Sequence, residues 1–301
     1  MRPGRSLILV PLAALALTSV PVDAQDVLRM TTARQVSGQE AVEMTVRYGA
    51  GRLVVGPAEE GLLYEARLRY DGRQFRPLRS YRLSDGVARV ELGLENRNGE
   101  GLNFDWSDLD DVDLEGLEDG DAADGRLEVG LSREVPTDLE VEAGATEGRF
   151  RLGGVPLTRL TVKTGASETE ISFDRPNPVR MERMDLRVGA ASLEATGLGN
   201  ARAETISVEG AVGEVTLDFT GEWARDAEAR VKMGLGSLTL RIPSDLGVRI
   251  EKKGLLSSFS GLGLEKADDG SYRTADWNEA AHHLDLEVET AFGNIEVEVV
   301  D

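Results

Sequence analysis

The sequence predicts an all-β fold, and three observations lead to this class. A short glycine-containing block recurs along the chain, and apolar residues between the blocks alternate with a period of two. A period of two places every second side chain on one side of a β-strand. No stretch of residues 25–301 has a sustained 3.6-residue apolar period, and the best helical candidate, residues 276–283, is too short to shape the architecture.

The recurring block reads V-x-x-G-x-G-x-L and sets the size of the repeating unit. Clear copies begin at Val46, Val231 and Val288, and looser copies begin at Val141, Val162, Leu186 and Val208. The starts from position 141 to position 231 are separated by 21, 24, 22 and 23 residues. Units of this size at a near-constant period stack in a row, because none can bury its apolar face alone.

Each unit is predicted to hold strands with one buried face, as in the alternation of Val215, Leu217 and Phe219. The glycines of the block suit a sharp corner, because glycine accepts positive φ and has no Cβ to collide where corners stack. A β-sandwich also has short strands at equal intervals, but it does not require the same glycines at a fixed period. We therefore predict a single-stranded parallel β-solenoid, or β-helix, with rungs of about 22 residues.

The first residues have the pattern of a cleavable signal peptide over positions 1–24. Arg2 and Arg5 supply positive charge, residues 7–17 are almost wholly apolar, and residues 22–24 suit a signal peptidase. A membrane anchor is the weaker alternative, because the apolar run is shorter than the roughly 20 residues that cross a bilayer. No later stretch is apolar enough to span a membrane, and without cysteine there are no disulfides. We predict a periplasmic or extracellular protein with no stable membrane insertion.

Composition divides the mature chain into three parts. Residues 25–101 form an N-terminal β region, either a cap or the first rungs; residues 102–126 form an acidic linker or loop; residues 127–301 form the β-solenoid repeat domain. Ten acidic residues crowd positions 105–124. This segment is predicted to be solvated, and calcium binding is the alternative, although the spacing is not that of an EF-hand.

A second irregular stretch, residues 243–283, separates the last block from the one before it by 57 residues. One interpretation is an insertion that projects from a face of the solenoid, where partners often bind. The other is a hairpin or cap that covers the open end of the stack. Both interpretations stay open at the level of sequence.

The net charge limits the classes of partner that the protein can bind. Without residues 1–24 the chain has 32 basic and 53 acidic side chains, a net charge of −21. Such a surface repels phosphate backbones, so we predict no nucleic-acid partner. Contact with an anionic envelope polymer would need a local basic patch or bridging cations. The charge favours a soluble monomer, and self-association stays open.

We predict no catalytic, metal or cofactor site. His282 and His283 would point to opposite faces of a strand, which opposes joint metal ligation. The sequence lacks the G-x-S-x-G pattern that would indicate the nucleophile of a Ser-His-Asp triad. The Gly-x-Gly pairs lack the third glycine and the following helix of a nucleotide-binding loop.

Acidic pairs and a tryptophan are the remaining candidates. Glu168 with Glu170, and Asp218 with Glu222, carry little information on acid-base catalysis, because acidic residues are abundant throughout. Trp223 lies at a predicted turn, where an exposed ring would suit a sugar. Packing over the edge of a rung is the more frequent role of such a residue.

Several motifs resemble a known family. They are Gly144-Ala145-Thr146, residues 157–171, Gly189-Ala190-Ala191, residues 198–201 and 217–221, Gly234-Leu235-Gly236 with Leu238, Pro243, Gly247-Val248 and Phe292-Gly293-Asn294-Ile295. Together they resemble the toast-rack domain of bacterial envelope proteins, a group that includes adhesins and the C-terminal domain of cell-wall-active antibiotic response proteins. The resemblance covers residues 127–301 well and 40–95 loosely.

The resemblance implies a right-handed single-stranded β-helix, no enzymatic activity and a part in adhesion or in sensing envelope stress. The response proteins commonly carry transmembrane helices, whereas here a cleavable signal precedes the domain, so direct regulation of a membrane kinase is not expected.

Our functional hypothesis is a non-enzymatic envelope binding or structural module, an adhesin or envelope-stress-associated protein. It would bind an envelope polymer or an envelope protein through an exposed face of its strands. The alternative is a polysaccharide-active β-helix enzyme that uses surface carboxylates. A groove in which two or three carboxylates converge with an Arg or Lys would favour the enzyme.

Overall fold

The computed structural model describes residues 27–97, 125–254 and 256–301, and these residues form an all-β protein. The proposed signal peptide and nearly all of the acidic segment lie outside the described residues; Arg126, at the end of that segment, already begins a strand. Within the described ranges the one helix is a single turn, and no helix is long and apolar enough to cross a bilayer.

The elements of the described residues follow in the order β1 (Val27–Gln35), β2 (Ala41–Pro57), β3 (Leu62–Asp71), β4 (Phe75–Ser84), β5 (Val87–Asn96), β6 (Arg126–Leu131), β7 (Thr137–Arg151), β8 (Leu157–Thr164), β9 (Ser167–Ser172), β10 (Met181–Thr196), α1 (Leu198–Ala201), β11 (Ala203–Asp218), β12 (Ala227–Pro243), β13 (Gly247–Lys253), β14 (Leu256–Leu262), β15 (Leu264–Lys266), β16 (Tyr272–Thr274) and β17 (His283–Val300).

Successive long strands pair in parallel, and the ladder places the recurring blocks in one column. Val141 of β7 pairs with Val162 of β8, and Val231 of β12 pairs with Val288 of β17. The whole column is buried and consists of Val46, Val141, Val162, Leu186, Val208, Val231 and Val288. The repeat found in the sequence is therefore confirmed as the offset between neighbouring rungs.

Each rung bends at the glycines of its block. A Cβ on Gly234 would lie 2.5 Å from the carbonyl oxygen of Ala211 in the neighbouring rung, and Gly189 shows a similar close approach. A Cβ on Gly236 would collide with the carbonyl oxygen of Gly213, and Gly236 also has a φ of +146°. The backbones at this corner approach too closely for a side chain. We call the outward surface before the bend the first face and the one after it the second face.

The core lies between the two faces. Alternate side chains of every long strand point inward, and a fully buried Val or Leu contributes about 1.5–3 kcal/mol. Loop residues such as Phe173 and Phe219 close the third side. The buried Asn177 amide donates hydrogen bonds to the carbonyl oxygens of Leu157 (2.8 Å) and Ala201 (3.2 Å), so one side chain joins three successive rungs.

The C-terminal end of the stack does not follow the order of the chain. The last strand, β17, pairs with β12 on one side and with β13 and β14 on the other. Antiparallel pairs of β16 with β13 and with β15 extend this end. Residues 243–283 therefore form the outermost rung and its cover, and the interpretation of an insertion that projects from one face is wrong.

The N-terminal end has the same arrangement. The first long strand, β2, lies between β7 on one side and β5 and β6 on the other. Antiparallel strands extend this end, because β4 pairs with β5 and β3 pairs with both β6 and β1. The N-terminal region thus supplies both a rung and a cap, and its ladder is continuous with the rest of the stack.

Candidate binding surfaces

A groove opens on the second face near the N-terminal end of the stack, and we call it the glycine groove. Its floor is the backbone of Gly56 on β2 and Gly130 on β6, which pair in the parallel ladder. The corresponding outward position of other rungs carries a polar side chain, such as Arg241 of β12. Two adjacent glycines therefore leave a cavity of about 460 Å³.

One of these glycines is required by packing. A Cβ on Gly130 would lie 2.6 Å from Cγ of Glu65 and 3.0 Å from Cα of Ala58. Glu65 belongs to β3, which pairs with β6 directly at this position. A Cβ on Gly56 would meet nothing closer than 3.5 Å, so the space above Gly56 is free to hold a ligand.

Arginine side chains dominate the walls of the glycine groove. The charged lining residues are Arg67, Arg126, Arg151 and Arg175, with Glu65, Glu128 and Asp174. Arg126 pairs with Glu128 at 2.6 Å, Arg67 pairs with Glu65 at 2.8 Å, and Arg175 lies 3.8 Å from Asp174. Among the described residues, exposed Arg151 has no ion-pair or hydrogen-bond partner. The four guanidinium groups outnumber the three carboxylates.

The glycine groove is locally basic, although the protein as a whole is acidic. Residues 27–97 contain 12 basic and 9 acidic side chains, whereas residues 125–301 contain 20 basic and 32 acidic side chains. Five of the seven charged lining residues of the groove nevertheless belong to residues 125–301, so the excess of positive charge is local to the lining of the groove. Composition alone does not show this excess, because the lining residues are far apart in the sequence.

A second cavity, of about 350 Å³, lies on the first face. Thr205 and Ser207 of β11 have short side chains, and they form a dip between the longer side chains of β10 and β12. Carboxylates and arginines converge here, which is the feature that the enzymatic alternative predicts. These charges neutralise one another: Arg249 lies 3.0 Å from Asp285 and 2.7 Å from Glu251.

Glu287 and Asp185 are two carboxylates of the first face with shifted pKa values, and they do not form an acid-base pair. A hydrogen bond from Lys253, helped by the charge of Arg230, holds the pKa of Glu287 below its ordinary value. Burial raises the pKa of Asp185, but the ladder places Asp185 three strand spacings from Glu287, roughly 14 Å. Paired carboxylates of glycosidases lie about 5–9.5 Å apart. Glu287 and Asp185 are therefore too far apart to act together as the acid and base of this reaction.

The histidines and Trp223 have structural contacts. The backbone N–H of His283 donates to Oδ1 of Asp226 (2.8 Å), and its ring packs edge-on against Trp277. The Trp223 indole N–H donates to the carbonyl oxygen of Phe219 (2.8 Å), and the ring is half-buried, which agrees with the packing interpretation. Within the part of the chain that the structure describes, no three His, Asp or Glu side chains are grouped for a metal ion.

The acidic pairs do not form a site either. Glu170 lies 3.3 Å from Arg149, and Glu168 points outward from the same strand without an ion-pair partner among the described residues. Asp218 accepts a hydrogen bond from the backbone N–H of Thr220 (2.8 Å) and so shapes its own turn.

A strip of apolar side chains runs along the corner, and we call it the corner ridge. Val212, Leu235 and Phe292 are 50%, 52% and 52% exposed. They are consecutive in the ladder of β11, β12 and β17. The sequence already contained the signal, because the variable position of the G-x-G block is Ala50 and Ala190 in earlier rungs and becomes larger toward the C-terminal end.

The fold defines a class, namely an all-β protein of stacked, mostly parallel strands. A family model described as the N-terminal domain of toast_rack, DUF2154, matches residues 21–181 and 176–241. The chain belongs to this toast-rack family.

Three solved structures are similar to this chain. A putative cell adhesion protein from Clostridium sporogenes is 14% identical, covers 91% of this chain and 100% of its own, and has a TM-score of 0.46. A putative adhesin from Parabacteroides merdae is 10% identical with coverages of 90% and 96% and a TM-score of 0.34. A putative adhesin from Bacteroides fragilis is 8% identical with coverages of 90% and 97% and a TM-score of 0.32. No curated protein matches the chain.

Proposed function

We propose that the chain is an exported, non-enzymatic binding module of the cell envelope that holds an anionic polymer in the glycine groove. Its repeat domain is a single-stranded, right-handed parallel β-helix. The parallel ladder supports the β-helix, the toast-rack family supports the handedness, and the sequence pattern of residues 1–24 supports export.

The observation that carries this proposal is Arg151, which has no charge partner among the described residues and lines a groove with a floor of two glycines. A guanidinium group offers paired donors in a plane, which match a carboxylate or a phosphate. Arg175 lines the same groove, and its one ion pair among the described residues is with Asp174 at 3.8 Å. An elongated polymer that carries regularly spaced carboxylates or phosphates would follow the floor between the two walls.

The overall negative charge gives this binding a characteristic dependence on salt. At low ionic strength the remote acidic surface repels a polyanion; near 0.15 M salt the Debye length is about 8 Å, so the nearby arginines dominate. At still higher salt the local attraction is screened as well. We therefore expect binding to be strongest at intermediate salt.

The test measures binding of the purified mature protein to alginate, which carries carboxylates, to polyphosphate, and to neutral dextran over a range of salt concentrations. We expect a maximum at intermediate salt for one polyanion and no binding to dextran. Arg151→Glu combined with Arg175→Glu should weaken binding by about tenfold or more. Arg241→Glu is the matched control, since Arg241 lies on the same face outside the groove.

Equal binding by the double variant and the parent would contradict the proposal, as would the absence of binding to both polyanions. The comparison of alginate with polyphosphate identifies the chemical source of the charge. Cleavage of either polymer would favour the enzymatic alternative.

A further inference from the structure

The corner ridge is an apolar surface that lies outside the buried core. Single exposed apolar residues are ordinary on protein surfaces, whereas contiguous ones mark an interaction site. Val212, Leu235 and Phe292 lie on consecutive strands, and hydrogen-bonded strands are about 4.8 Å apart. The ridge is thus a continuous strip roughly 10 Å long.

A ladder of alternating charge runs beside the ridge on the first face. Glu209, Lys232, Glu289 and Lys253 occupy one column on β11, β12, β17 and β13. Lys232 lies 3.9 Å from Glu289. On the other side of the ridge the column reads Glu214, Ser237, Asn294 and Ser258, with a single charge.

This arrangement is self-complementary. Consider a two-fold axis that passes between β12 and β17 and runs along the strands at the corner. The axis places Leu235 opposite Phe292 of the second copy and Lys232 opposite Glu289 of the second copy. It also places Glu209 opposite Lys253 of the second copy. On the other flank Glu214 faces a serine, so no like charges meet.

We propose that the corner ridge is the interface of a homodimer with this two-fold axis. A closed two-fold contact uses the same patch on both copies, and the order of charges on this patch satisfies that condition. The convex corner is narrow, and a stable interface buries about 800 Å² on each partner, so the dimer should be weak and dependent on concentration. This inference is independent of the glycine groove, which lies on other rungs.

Charge exchange tests the inference by sedimentation velocity of the full mature chain. The parent should dimerise as its concentration rises. In Lys232→Glu, glutamates at positions 232 and 289 face each other across the interface at both symmetry-related contacts. In Glu289→Lys, lysines face each other at the same two contacts. Each variant alone should dimerise about tenfold more weakly or not at all. A mixture of the two variants should dimerise again, because both contacts are then complementary.

Lys266→Glu is the matched control, because it changes the net charge equally on an exposed strand away from the ridge. Leu235→Ser with Phe292→Ser should abolish dimerisation, and urea unfolding of this variant separates a lost contact from a lost fold. A parent that remains monomeric at every concentration would overturn the inference. So would two variants that fail to associate when mixed.

Discussion

The first and second faces share one core and present different chemistry to solvent. On the first face charges of opposite sign meet, as where Lys163 lies 2.8 Å from Glu140 and 3.3 Å from Glu142. The second face also contains ion pairs, such as Arg52 with Glu147 at 2.8 Å, but its Glu194 and Glu214 have no ion-pair partner among the described residues. On both faces, alternate side chains point into the core, and this pattern determines the fold. The outward positions are free of that constraint, and the differences between them therefore indicate function.

The largest effect on the free energy of unfolding is expected at the corner, where the two faces are joined. Gly236→Ala forces a Cβ against the Gly213 carbonyl at a φ of +146°, which should destabilise the protein by about 2–5 kcal/mol. Gly210→Ala is the matched control, because its Cβ would meet ordinary contacts at 3.6 Å or more. Urea unfolding should show a large loss for the first variant and no loss for the second. Equal losses of stability in the two variants would mean that the close backbone contact at the corner does not determine stability.

Variants of two carboxylates on the first face should change stability by an intermediate amount, and the changes should depend on pH in opposite ways. Glu287 has a lowered pKa because Lys253 and Arg230 contact it, so its stabilisation is present above the ordinary glutamate pKa and is lost as pH falls. Glu287→Gln should lower Tm by about 1–2 °C at pH 7, and the difference should vanish in acid.

Asp185 should show the opposite sign. Burial raises its pKa, so the ionised form costs stability at pH 7 and protonation in acid removes that cost. Asp185→Asn should therefore be at least as stable as the parent at pH 7 and equal to it in acid. Thermal melts at both pH values check the pair. A loss at pH 7 as large as that of Glu287→Gln would contradict this account.

The smallest effect is expected on the second face. Glu194 lies opposite Glu170 in the ladder, and like charges at such positions destabilise a sheet. Glu194→Gln should stabilise the protein by a few tenths of a kcal/mol, and salt should reduce the gain. In Glu170→Gln the gain should be offset, because the contact with Arg149 is lost. A gain that salt leaves unchanged would mean that repulsion is not its cause.

The sequence predicted the repeating part of the fold well. A strand with one buried face shows its period of two directly, and the blocks that begin at Val141, Val162 and Val231 do stack in one column. The glycines of the block do lie at a close backbone contact, as predicted: Gly234 makes the contact, and the positive φ belongs to Gly236. Both features are local, so the sequence contains them.

The ends and the surfaces were not predictable in the same way. The position of β17 between β12 and β13 depends on pairing partners, and an apolar alternation does not specify which strand lies beside it. The glycine groove depends on Gly56 and Gly130, which are far apart in sequence and become neighbours only through the parallel ladder. Arg151 resembles any other exposed arginine until that floor is known.

The interior position of the last strand sets a condition on how the molecule is made. A chain that emerges N-terminus first can add rungs in order as far as β12, and the next partner of β12 is the final segment, residues 283–300. Residues 247–262 emerge earlier; β13 can pair with β16, but neither β13 nor β14 has its parallel partner until β17 is present. The stack can therefore close only after β17 is present, and a chain that lacks β17 would leave a vacant rung between β12 and β13.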